Sequence, residues 1–179
     1  MPQAISVRSH LMPPLTFSAV TTESDVERLA TLAREIWHEY YVPLIGRDQV
    51  DYMVRKFQST DAISSQISDG YEYFFASNGE QQPVGYLALR EQEDESLFIS
   101  KLYLLREERG QGTGRRLIAF IEDLAKTRGL VRLWLTVNKG NPAVTAYQRL
   151  GFRIAESIVM DIGNGFVMDD YRMEKHLSA

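Results

Sequence analysis

The sequence predicts a mixed α/β fold, a sheet built from hairpins and crossovers and flanked by helices. Three observations carry that expectation. An apolar run over 97–105 enters the glycine-rich turn Arg109-Gly110-Gln111-Gly112-Thr113-Gly114. An amphipathic run leaves it, with Leu117, Ile121, Leu124 and Ala125 on one helical face. Further apolar strand-like runs come in pairs, joined through Asn78-Gly79 and through Gly163-Asn164-Gly165.

Residues 1–14 contain three prolines and no hydrophobic period, and read as a flexible tail. Residues 15–179 then form a single domain, and 15–20 predict its first short strand. Thr22-x-x-Asp25 is a capping box with Asp in place of Glu. It opens a helix whose Val26, Leu29, Leu32, Ala33 and Ile36 share a face. That helix is expected to run to about Tyr40 and to be ended by Pro43. Two further helices follow over 48–57 and 60–67, joined by the polar Gln58-Ser59-Thr60. Residues 71–76 and 83–90 predict a hairpin, and the charged stretch 91–95 a solvated tip. The strand 96–105 feeds the glycine turn, and a helix over 113–128 leaves it, capped by Gly129. A buried strand over 131–137, a short helix from Asn141 to about Leu150, and strands over 151–161 and 166–177 close the chain.

Composition narrows the function classes. A net charge of −4 argues against nucleic acid as the main partner. The absence of cysteine removes disulfides, thiolate metal sites and a cysteine nucleophile together. His10, His38 and His176 share no ligand spacing, so no metal is expected. No apolar stretch is long enough to span a bilayer, and 1–14 lacks the layout of a signal peptide, which leaves the cytoplasm as the expected location and no membrane partner.

The glycine turn carries chemistry. Alternate glycines uncover backbone N–H groups, and the helix start adds unbonded N–H groups and a positive dipole end. Together they suit phosphate oxygens, with Arg115 and Arg116 at the rim. Walker A would need Gly-Lys-Ser/Thr, and the dinucleotide fingerprint would need glycine at Arg115 and an acidic residue where Asn138 stands. A tight strand–helix turn without a ligand is the plain alternative.

The pattern Arg109-x-x-Gly112-x-Gly114 resembles the pyrophosphate loop of the GNAT superfamily of N-acetyltransferases. The stretch 133–152, ending Tyr147-Gln-Arg-Leu-Gly151-Phe152, resembles the segment of that family in which a strand, an Asn-started helix and Tyr-x-x-x-Gly-Phe follow one another. The last strand, 165–173, is similar to that of small bacterial members. The resemblance covers about 15–177. It implies a mostly antiparallel sheet with a V-shaped split between the strands either side of the glycine-loop helix, and acetyl-CoA as co-substrate in the split. By position, Leu102, Tyr103 and Leu104 would offer backbone groups to the pantetheine arm and acetyl carbonyl. Arg109, Gly110, Gln111, Gly112, Thr113, Gly114 and Arg115 would hold the pyrophosphate. Asn138 and Asn141 would contact the cofactor arm, and Tyr147 would sit near the sulfur. Asn141 followed by Pro142 also reads as a helix cap.

The chemistry implied is amine attack on a thioester. The Leu104 N–H would stabilise the developing oxyanion, and the Tyr147 hydroxyl would protonate the leaving thiolate. Without cysteine, direct transfer in a ternary complex is expected. A lysine-like amine has a pKa of about 10.4 and must lose a proton first. Candidates for that base are Glu91, Glu95, His38 or a water held by Asn138. Thr136 stands where members that acetylate protein N-termini often carry a glutamate. Trp37-His38-Glu39-Tyr40-Tyr41, with Glu35, forms a candidate surface for a cationic amine. The expected reaction is acetylation of a small cationic amine such as a polyamine. Acetylation of a protein lysine or N-terminus and a non-catalytic CoA-binding module are the alternatives. The family resemblance also allows a homodimer.

Overall fold

The computed structural model describes residues 14–178. The expected tail therefore lies outside the described residues, apart from Pro14. Seven strands form one sheet: β1 (Thr16–Ala19), β2 (Glu72–Ser77), β3 (Pro83–Glu91), β4 (Ser96–Leu104), β5 (Arg132–Asn138), β6 (Arg153–Gly163) and β7 (Phe166–His176). Their order is β1-β2-β3-β4-β5-β7-β6. Every pairing is antiparallel except β4 with β5. The helices are α1 (Glu23–Ile45), α2 (Arg47–Phe57), α3 (Thr60–Ser68), α4 (Thr113–Thr127) and α5 (Ala143–Arg149).

The sheet buries both faces. On one, Leu87, Leu97, Leu133 and Leu135 pack against Leu117, Ile118 and Ile121 of α4. On the other, Tyr73, Phe75 and Tyr86 pack against Leu29 and Ile36 of α1 and Ile63 of α3. Each fully buried aliphatic chain contributes about 1.5–3 kcal/mol. Local signals set the helix ends. Thr22 Oγ1 accepts from the Asp25 N–H at 3.1 Å and Asp25 Oδ2 from the Thr22 N–H at 3.1 Å, closing the capping box. At the end of α4, Gly129 turns to φ +74°, and the Leu130 N–H reaches the Ala125 carbonyl at 2.9 Å.

One end differs from the sequence expectation. α1 continues through Pro43 to Ile45. Proline removes one donor, but Tyr41, Val42 and Ile45 pack against the cluster around Val50 and Met53, which retains the last turn. Gly46, at φ +84°, ends the helix instead.

The feature that shapes the site lies in β4. Ala88 pairs with Lys101 but Leu89 pairs with Ile99, so Ser100 is an extra residue, a β-bulge. Before it Leu97 and Ile99 face α4; after it Leu102 and Leu104 do. Lys101 turns instead to Gln66 of α3. β4 pairs with β5 only over Ser96–Ile99. Beyond the bulge the two strands part, leaving a V-shaped gap between 100–104 and 136–138.

Candidate active site

A 3-10 turn, Arg106–Glu108, carries the chain from β4 into the glycine turn. Gly110 stands at φ +74°, and Gly112 at φ +83° caps α4 in the left-handed region. The first intrahelical bond runs from the Arg116 N–H to the Gly112 carbonyl, at 3.2 Å. The N–H groups of Thr113, Gly114 and Arg115 thus point out of the helix end. Nothing lies within 4 Å of where a Cβ on Gly114 would stand. Two side chains brace the turn from behind: Gln111 Nε2 donates to the Glu107 carbonyl at 2.5 Å, and Thr113 Oγ1 to Glu108 Oε2 at 3.0 Å. Arg115 is exposed at the rim. Arg109 is held elsewhere. Its guanidinium donates to Glu39 Oε2 at 2.6 Å and to the Leu104 carbonyl at 3.0 Å, and lies over the Tyr40 ring at 4.6 Å.

The gap presents strand backbone. The Leu105 N–H donates to the Val84 carbonyl at 2.8 Å, so the backbone groups of Leu105 and Tyr103 face β3. Strand alternation turns those of Leu102 and Leu104 toward the gap. Tyr103 enters the site through its ring instead, against Trp37 at 5.3 Å.

α5 borders the gap from the other side. Asn141 is buried, and its Oδ1 accepts from the Ala143 N–H at 2.9 Å and the Tyr40 hydroxyl at 2.8 Å. It caps the helix and ties α5 to α1. Asn138 Oδ1 accepts from the Gly140 N–H at 2.9 Å. Tyr147 is half-buried with its ring edge-on to Phe152 at 5.6 Å. Burial, helped by Tyr40, pushes its hydroxyl up to about 12, so it carries a proton at neutral pH.

A cleft of about 600 Å³ runs from the glycine turn through the gap to α1 and α2. Trp37, Tyr40, Tyr41, Met53, Tyr103 and Met168 line its far end. Among the described residues only two charged side chains line it, Arg109 and Asp170. Asp170, on β7, is 5% exposed, and its Oδ1 has no hydrogen-bond partner. Burial pushes its carboxyl up to about 6; Asn138 and Lys139 pull it down and Asp169 adds to the rise.

The sequence reading missed Asp170. A signal was present, because Asp170 follows the apolar Phe166 and Met168 at strand alternation, on the same face. Three of the expected bases lie elsewhere, whereas Asn138 lines the cleft. Glu91 pairs with Arg128 at 3.7 Å, and Glu95 is exposed at the end of β4 remote from Leu104. His38 faces α2, with its Nδ1 2.8 Å from the Arg34 carbonyl and its Nε2 2.6 Å from Asp51 Oδ1. Of the expected acceptor surface, the rings reach the cleft, whereas Glu35 is exposed and Glu39 is engaged by Arg109.

Known proteins share this architecture. A family model described as an acetyltransferase (GNAT) domain matches residues 42–175. An uncharacterized N-acetyltransferase of Mycobacterium tuberculosis is 26% identical over 150 residues, spanning 81% of this chain and 96% of that one. A spermidine N(1)-acetyltransferase of Thermoplasma acidophilum is 21% identical over 150 residues, spanning 81% and 90%. A crystal structure of an N-acetyltransferase from Thermoplasma acidophilum in complex with coenzyme A matches the fold with a TM-score of 0.72. Its identity is 21%, and the match covers 91% of this chain and 99% of that one.

Proposed function

The chain belongs to the GNAT family of acetyltransferases and is an N-acetyltransferase, and on that premise we propose that it moves the acetyl group of acetyl-CoA directly to a small cationic primary amine in a ternary complex. The observation that carries this reading is the continuity of the cleft. It joins a helix end with outward N–H groups, a gap edged by the strand backbone of Leu102 and Leu104, the Tyr147 hydroxyl and an aromatic chamber. The residues fit acetyl-CoA on their own chemistry. The outward N–H groups of 113–115 suit a pyrophosphate, and the backbone of Leu102 and Leu104 suits an amide-bearing arm lying in the gap as an extra strand.

When bound, acetyl-CoA supplies the activated acyl group. The protein holds its reacting carbonyl at the Leu104 N–H, where charge develops on oxygen as the amine adds. Tyr147 holds a proton for the departing sulfur. The aromatic walls exclude water and attract a cationic amine. An aromatic chamber of this size favours a small acceptor over a protein segment. Polyamines are members of that class, and the similarity to a spermidine N(1)-acetyltransferase supports testing them.

The proposal places the reaction in the cytoplasm, and it includes a homodimer. β6 is an open sheet edge of 11 residues carrying the exposed Val159 and Met160, a surface that a second copy of the same strand can pair with and cover.

The test is CoA thiol release from acetyl-CoA across polyamines, amino acids, aminoglycosides, aralkylamines and a lysine peptide. Release with a small amine is the expected result. Release with the lysine peptide alone would replace the acceptor class. Acetyl-CoA binding without release would leave a binding module, and failure to bind would remove the assignment of the glycine turn.

A further inference from the structure

We propose that Asp170 receives the ammonium group of the acceptor and takes its proton, and that the acceptor carries a single positive charge on an apolar or aromatic body. The inference rests on the acetyltransferase reading and narrows it. It starts from an anomaly of burial. A carboxylate 5% exposed, with Oδ1 unpartnered, is costly unless something cationic meets it. Among the described residues, Arg109 is the one cationic side chain that lines the cleft. Lys139, which follows Asn138, the cross-strand partner of Asp170, pairs with Asp169 Oδ1 at 2.5 Å and lies over the Tyr171 ring. Arg109 is tied to Glu39 near the glycine turn.

Position fits the role. Asp170 shares its strand face with Met168 and lies at the end of the cleft that α1 and α2 close, whereas the glycine turn opens the other end. Tyr41, Tyr147 and Asp170 line the same cleft. An amine entering between Asp170 and Tyr147 therefore meets its base on one side and the proton donor for the leaving group on the other.

The step balances. The ammonium R–NH3+ gives one proton to the Asp170 carboxylate, leaving R–NH2 and a neutral carboxyl group. The apolar walls favour this transfer, because it replaces a buried ion pair with two neutral groups. The nitrogen lone pair forms the C–N bond to the acetyl carbon as the C–S bond breaks. Tyr147 protonates the departing sulfur, and its phenolate takes the second proton from the nitrogen. The proton on Asp170 leaves to water.

The same accounting selects the acceptor. A polyamine brings several positive charges into a chamber whose one carboxylate, among the described residues, is Asp170. Its other ammonium groups would lie unpaired among Trp37, Tyr41, Met53 and Met168. An amine with a single charge and an apolar body leaves none unpaired and fills the rest by contact.

Initial rates with phenethylamine and with spermidine, in the unaltered protein and in Asp170→Asn, decide the matter. Acetyl-CoA affinity by calorimetry and thermal melting are followed alongside. The expected result is a kcat/KM at least about 10-fold higher for phenethylamine. D170N should lower it by about 100-fold or more, keep acetyl-CoA affinity within about twofold and melt no lower. Preference for spermidine, no transfer to phenethylamine, or a folded D170N that retains transfer within about threefold would each overturn the proposal. The acceptor preference of the unaltered protein decides it even where D170N does not fold. Spermidine turnover would leave the acetyltransferase reading standing, whereas absence of acetyl-CoA binding would bring down that reading itself.

Discussion

Tyr147 and Lys101 show how one environment, burial, has opposite consequences for two ionisable groups. Burial holds the Tyr147 proton in place, which an acid for a leaving thiolate requires. Tyr147→Phe keeps the contact with Phe152 and loses only the hydroxyl. Its kcat should fall by about 100-fold or more while acetyl-CoA affinity by calorimetry stays unchanged; equal loss of both would mean that the ring positions the cofactor instead. Lys101 is 6% exposed, donates to Gln66 Oε1 at 2.6 Å and lies over Tyr73. Burial lowers its ammonium from 10.5 to about 8. Between those values the unfolded chain binds more protons than the folded one, so stability rises with pH across that window. Lys101→Met should therefore compare best with the parent below pH 8 and lose ground as pH rises to 10.5. Urea midpoints at pH 7, 9 and 10.5 check this, and a pH-independent difference would place the lysine in water. A lysine in a strand run is ordinarily a solvated residue. Nothing in an alternating run reveals that a bulge one residue earlier has flipped its face.

At the scale of elements, most of the fold was legible. Capping residues, the periods of the helices and the Asn-Gly turns are local, and local signals survive tertiary context. The end of α1 was not, because its last turn is held by packing against α2 rather than by its own sequence. The bulge at Ser100 was not, because no glycine or proline marks it. Two glycines separate the structural from the functional demands on these elements. At Gly85 a Cβ would stand 2.5 Å from the Tyr103 carbonyl oxygen and 2.6 Å from Leu104 Cδ2, so β4 itself must shift. Gly85→Ala should cost about 1–3 kcal/mol and also slow transfer, since Leu104 moves with the strand. Gly114 has open space around the same position. Gly114→Ala should leave the melting temperature unchanged or raised, as alanine favours helix, yet weaken acetyl-CoA binding by occupying the space before the outward N–H groups. Melting and calorimetry on the pair give this crossed pattern; loss of stability in both would mean that the turn serves folding alone.

Across the whole molecule, α1 joins parts of the chain that sequence alone keeps apart. Glu39 meets Arg109 seventy positions on, Tyr40 meets Asn141 one hundred and one positions on, and Trp37 and Tyr41 wall the chamber. The motifs that named the cofactor side are contiguous and were readable. The acceptor side is assembled from α1, α2, β4 and β7, and its carboxylate arrives on the last strand, which is why it escaped a reading by segments. This arrangement makes Glu39 a control on the cofactor site. Its carboxylate engages Arg109 beside the helix end that would receive a pyrophosphate. As an anion it opposes the phosphates, and as a partner it draws Arg109 away from them. The pair is partly exposed, with side chains 28% and 33% accessible, so its own contribution to stability is small, about 0–1 kcal/mol. Glu39→Gln should therefore leave folding intact and tighten acetyl-CoA binding by about 2- to 10-fold at low salt, a gain that shrinks as salt screens the charges. Calorimetric titrations at two ionic strengths measure it. Weaker binding would mean that the Glu39 tie holds Arg109 and the glycine turn in their binding geometry, and that α1 supports the cofactor end of the cleft as well as closing the acceptor end.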